Sequence, residues 1–190
     1  MLTIDELYED IKIGVGAYSS LLLSSVPKFV CEGLLSILCL GSIALILWKG
    51  KRALIYIARL FLTEYLLLLY CATIVFRTPK DHPVFDYTLF WSYDHSNFEV
   101  QSVMNVLVFI PIGFVIGCSW KIISWWKAIL RGFVFSLSIE LLQLVLKRGF
   151  SELDDVMHNT LGCIIGYGLY SLIRFGYEKF SKRSVVVLKR

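Results

Sequence analysis

Ser136, Glu140, Gln143 and Lys147 follow one another at steps of four, three and four inside an apolar stretch, so on a helix they line one face. A hydroxyl, a carboxylate and an amide in that row could accept a proton or bind the polar head of a ligand. Glu140 would lie about two turns before the end of such a helix, roughly 10 Å deep at 1.5 Å per residue. A carboxylate at that depth is costly and faces a bundle interior or a wet cavity. The plainer alternative is a hydrogen-bond anchor between helices. Further along come Arg148, Glu152, Asp154, Asp155 and Asn159. Asp155 and Asn159 are four apart, on a face that continues to Gly162 and Gly166. Capping a helix N-terminus accounts for an aspartate there, but not for the asparagine beneath it. Arg77, before Thr78-Pro79, ends an earlier apolar stretch, and Asn105 opens another. A guanidinium such as that of Arg77 or Arg148 suits phosphate or carboxylate.

These residues need helices to position them, and the composition says where such helices lie. Of 190 residues 57% are hydrophobic, the mean hydropathy is +0.69, and the apolar residues come in long blocks rather than periodically, which is the membrane pattern. The fold expected is an all-α polytopic transmembrane helix bundle. About five segments can cross a hydrocarbon core of roughly 30 Å: residues 30–48, 53–76, 103–120, 128–146 and 157–175. Lys49, Lys51 and Arg52 separate the first two, Lys121, Lys127 and Arg131 surround a later turn, and Arg174, Lys179, Lys182 and Arg183 follow the last. The alternate connections carry Asp81, Asp86, Asp94 and Glu99, then Glu152, Asp154 and Asp155. The positive-inside rule then places the N-terminus outside and the C-terminus in the cytoplasm. Residues 1–29 read as an amphipathic, interfacial segment, with Leu7, Ile11 and Val15 at helical spacing beside acids. Residues 176–190 read as a basic cytoplasmic tail.

Other features have packing explanations. Gly113 and Gly117, and Gly162 and Gly166, form two G-x-x-x-G pairs that let helices approach, within the chain or in a homodimer. Pro111 should kink its helix. Arg59 should snorkel to the nearer membrane surface. Glu64, near the centre of the second segment, either carries a proton or pairs across helices. The scattered Cys31, Cys39, Cys71, Cys118 and Cys163 read as packing residues, not as a disulfide or zinc framework. The acidic residues Asp5, Glu6, Glu9 and Asp10 at the start do not read as a cleaved signal. The net charge of +4 is divided among loops, so no nucleic-acid surface is expected.

In this order the polar residues resemble the VanZ-like family of bacterial membrane proteins. Arg77-Thr78-Pro79 resembles its Arg-x-Pro, and Asn105 with Pro111 and Gly113 resembles its N-x-L-x-F-x-P-x-G helix. Glu140 and Gln143, then Arg148, then 153–162 resemble its E-x-x-Q … R … I-D-D-V-x-x-N-T-L-G block. His158 stands where the family is usually apolar. The resemblance runs from about residue 55 to 173, in a domain taken as 30–175. It implies a role in the bacterial envelope, because the name-giving member is associated with low-level resistance to teicoplanin, a lipid-tailed glycopeptide.

With the expected topology, Arg77, Asn105, Glu140, Gln143, Arg148, Asp154, Asp155 and Asn159 all fall in the outer half, as a ligand-binding site requires. Partners would be membrane lipids, a lipid-linked envelope precursor or a lipoglycopeptide. The alternatives are an intramembrane hydrolase or transferase acting on an envelope lipid, with Glu140 or Asp155 as the catalytic group, and a small lipid transporter. No nucleophile motif, H-E-x-x-H or phosphate loop is present, and neither a metal nor another cofactor is expected.

Overall fold

The computed structural model describes residues 12–13, 26–49, 52–89, 100–120 and 124–187, without the side chains of Phe29 and residues 180–187. The expected interfacial segment 1–29, the loop residues 90–99 with Asp94 and Glu99, and Lys121 fall wholly or mostly outside them. Among these residues five long helices follow one another: α1 (Lys28–Lys49), α2 (Ala53–Tyr70), α3 (Val100–Ser119), α4 (Trp125–Leu146) and α5 (Leu153–Val187). α2 continues into a π-helical turn, Cys71–Val75. Two short strands, β1 (Phe85–Asp86) and β2 (Ser151–Glu152), pair in parallel. The architecture is an all-α polytopic bundle with this one small strand patch.

α1, α2 extended to Val75, α3 and α4 are each long and apolar enough to cross a membrane. α5 is not among these four; it carries Asp154, Asp155, His158, Asn159 and Arg174 along its length. It contains the expected segment 157–175 but runs on to Val187, so the helix does not stop where the basic tail was taken to begin. α3 continues through Pro111 without interruption.

Successive helices run in opposite directions. Arg59 of α2 donates to the Ser119 carbonyl at the end of α3 (3.1 Å), and Tyr65 donates to the Val108 carbonyl (2.8 Å). Arg59 therefore caps a neighbouring helix end besides reaching outward. At the same end its guanidinium and that of Arg131 lie over the Trp120 ring. α3 and α5 run parallel and touch closely. A Cβ on Gly162 would collide with the Val106 carbonyl, one on Gly166 with that of Ile110, and one on Gly113 with the backbone of Cys163. The two G-x-x-x-G pairs thus face this intramolecular contact, and a second copy would have to use other surfaces. Around it Phe109, Ile112, Ile116, Ile139, Cys163 and Tyr167 form the core.

The outside of the bundle is apolar where a soluble protein would be polar. Leu47 is 83% exposed and Val145 73%, whereas Glu140, Gln143, Asp154 and Asn159 are buried. Lipid covers the first set at no cost, and the second needs partners inside. Exposed hydroxyls bond their own helices: Ser36 donates to the Glu32 carbonyl and Thr63 to that of Arg59.

The α3–α5 contact has no space for a side chain. Gly166→Val should lower stability by about 1–3 kcal/mol, seen as a lower thermal midpoint in detergent; an unchanged midpoint would show that the two helices are not in contact there.

Candidate functional site

The C-terminal ends of α2 and α4 and the N-terminal ends of α3 and α5 meet at one end of the bundle. α4 stops at Lys147, whose backbone is left-handed (φ 54°, ψ 42°) and whose N–H bonds the Gln143 and Leu144 carbonyls. This reversal sends Arg148 back beside Pro79 in an antiparallel bridge, and the Lys80 N–H donates to the Lys147 carbonyl at 2.8 Å. β2 then joins β1 and leads directly into α5. Gly149 has φ +90°, and a Cβ there would occupy the place of the Arg77 guanidinium. Glycine is needed for both reasons.

The π turn leaves the last carbonyls of α2 without partners from their own helix, and Pro79 ends the chain's chance of supplying them. Side chains from the α4 end take that role. Gln143 Nε2 donates to the Thr73 carbonyl at 3.2 Å. Arg148 Nη1 donates to the carbonyls of Ile74 (3.2 Å), Val75 and Arg77 (3.0 Å). A cation at a helix C-terminus is also favoured by the helix dipole.

On the other side of this knot lie the acids. Glu140, 5% exposed, accepts the backbone N–H of Glu152 at 3.0 Å. Asn105 Nδ2 donates to Asp155 Oδ1 at 2.6 Å, tying α3 to α5. Asn159 Nδ2 donates to Ser136 Oγ at 2.9 Å, tying α5 to α4. Asp154, 1% exposed, lies beside His158, whose Nδ1 contacts the Asp154 carbonyl at 2.8 Å. Arg77 acts electrostatically on both Glu140 and Asp155. Asp155 precedes the apolar part of α5. Burial pushes its carboxyl up to about 7, assisted by the charges of Glu152 and Asp154 and opposed by Arg77 and a hydrogen bond with Gln101. Two buried amide oxygens, Gln143 Oε1 and Asn159 Oδ1, have no hydrogen-bond partner among the described residues. Such oxygens are costly unless something else bonds them.

All eight residues singled out in the sequence therefore sit at this end, but in different roles. Arg148 is directed into the fold by its carbonyl contacts, whereas Arg77 lies against Gly149 among the acids. Asp154 is turned inward, and Asp155 faces α3. Ser136, seen before as part of the α4 stripe, is the partner of Asn159. Gln101 was missed, although it stands four residues before Asn105 and so on the same helix face. The π turn had no sequence signal beyond Thr73 and the nearby proline. Among the described residues no three His, Cys, Asp or Glu side chains are placed to hold a metal ion.

The VanZ/LLP1 family model matches residues 62–174, more than half of the chain and all of this cluster. The chain belongs to the VanZ/LLP1 family. Protein VanZ of Enterococcus faecium is 32% identical over 72 residues, which cover 38% of this chain and 45% of that protein. The chain thus spans less than half the length of that VanZ relative. No solved structure matches.

Beside the cluster, on the outer side of α4 and α5, the VanZ/LLP1 region has an apolar groove of about 580 Å³. Phe133 of α4, Val156, Met157, His158 and Leu161 of α5, and Leu89 beyond β1 line it. Leu153, Val156 and His158 alternate with Asp154, Asp155 and Asn159 on the first turns of α5, so groove and polar cluster share one stretch of helix.

Arg148→Ala strands three carbonyls and should cost about 1.5–3 kcal/mol, measured by chemical denaturation in micelles; no loss would mean that water serves those carbonyls equally well. A pH effect follows from Asp155. In the unfolded chain it ionises near the ordinary aspartate value of 3.8, whereas in the fold it keeps its proton to about 7. Its contribution to stability is full below the first value and lost as pH rises through the second. Asp155→Asn should flatten that decline in a stability-against-pH series, and an unaltered slope would assign the decline to another group.

Proposed function

We propose that this membrane protein is a multi-pass component of the bacterial cell membrane whose polar end faces outward and binds the head group of an envelope lipid or of a lipid-tailed glycopeptide. The observation that carries the reading is the pair of amide oxygens, Gln143 Oε1 and Asn159 Oδ1, that have no partner among the described residues, in a cluster that also holds Arg77 and the three acids Glu140, Asp154 and Asp155. Sugar hydroxyls and amide N–H groups of a ligand would satisfy those oxygens. Arg77 would meet a phosphate or carboxylate. Arg148, engaged with the end of α2, holds the site in shape. The apolar groove beside the first turns of α5 suits the ligand's lipid tail. The basic residues at the opposite end of the bundle, around Lys49, Arg52, Lys127 and Arg131, support the outward orientation.

The resemblance to the name-giving family member makes low-level teicoplanin resistance the cellular role that this reading supports. The test is to express the wild type, Glu140→Gln and Asn159→Leu at matched membrane levels in a susceptible Gram-positive host. The wild type should raise the inhibitory concentration of teicoplanin, and both variants should lose most of that protection. A wild type that gives no protection removes the resistance role; variants that protect fully remove the polar end as the binding site.

A further inference from the structure

Glu64 lies far from the polar end, in the middle of α2, and the reading above makes no use of it. It is 9% exposed, and its Oε1 has no hydrogen-bond partner among the described residues. It lines a separate cavity of about 210 Å³ between α1 and α2, with Cys31, Leu34, Leu38, Phe61 and Leu68 among the walls. Among the described residues, Cys31 from α1 and Tyr65 from α2 are the other titratable side chains that face this cavity, and no lysine or arginine lines it. The Tyr65 hydroxyl is engaged elsewhere, on the Val108 carbonyl of α3. Glu32, the nearest other acid on α1, pairs with Lys28 at 3.6 Å and is exposed.

An ionised carboxylate so placed would have neither a cation nor enough donors, and both are needed to hold a charge in hydrocarbon. A carboxylic acid needs far less. We propose that Glu64 is a proton-binding site inside the membrane, distinct from the polar end and reached through the cavity between α1 and α2. α1 packs on the rest of the bundle mainly through α2, so this proton sits in the seam that holds α1. Release of the proton would place an unpaired charge in that seam and weaken it.

The test uses the unmodified protein in lipid nanodiscs and two carbodiimides, dicyclohexylcarbodiimide, which partitions into lipid, and a water-soluble analogue. Each adds across a carboxylic acid: the acid proton goes to a carbodiimide nitrogen, and the carboxyl oxygen bonds the central carbon. Peptide mass spectrometry reads the adducts, with exposed Asp81 as the internal reference. At neutral pH, Glu64 should be labelled by the lipid-soluble reagent and not by the soluble one, while Asp81 stays unlabelled by the lipid-soluble reagent. The proposal is overturned if Glu64 reacts with neither reagent or reacts equally with both.

Discussion

Backbone carbonyls at the end of a helix must find donors, and near a membrane there is little water to supply them. At the end of α2 this demand is sharpened by the π turn Cys71–Val75 and by Pro79 after it. The donors come from Gln143 and Arg148, more than sixty residues later. That exchange fixes where the turn after α4 lies, and so where β2 meets β1 and where α5 begins. Arg77 is brought over Gly149 by the same turn. The polar end is therefore first a solution to a capping problem, and the acids are arranged around it.

The second constraint is the closeness of α3 and α5. Glycines at 113, 162 and 166 bring the two backbones into contact, and because the helices run parallel their first turns finish level. Asn105 can then reach Asp155. Bulkier residues would separate the helices and with them the amide and the carboxylate. Small residues far down the helices thus set the geometry of polar groups at the top.

The acids of the polar end and Glu64 differ in how their charge is accommodated. Glu140 and Asp155 have backbone or side-chain donors and a nearby guanidinium. Glu64 has an apolar cavity and an oxygen without a partner among the described residues. The first arrangement suits recognition of a polar ligand, and the second suits a neutral acid that can give up its proton. They lie in different parts of the bundle and rest on different helix contacts.

Much of this protein was legible in its sequence. Long apolar blocks set off by charged turns determine a helical membrane bundle, because the backbone must satisfy itself in hydrocarbon and blocks of about 20 apolar residues do so as helices rather than as the short alternating strands of a barrel. The steps from Ser136 through Glu140 to Gln143 determine a polar face, because helical periodicity is local. α5 was less legible, since its acids, His158, Asn159 and Arg174 dilute the apolar pattern. Only the tertiary structure decided that Arg148 serves the carbonyls of α2 while Arg77 lies among the acids. The two guanidiniums are chemically identical, and which one turns inward depends on the left-handed turn at Lys147 and the strand pairing that follows it. It also decided that the two G-x-x-x-G faces meet each other, since a small-residue face carries no record of its partner. Contacts between residues far apart in the chain depend on the summed packing of all five helices, which no single stretch of sequence contains.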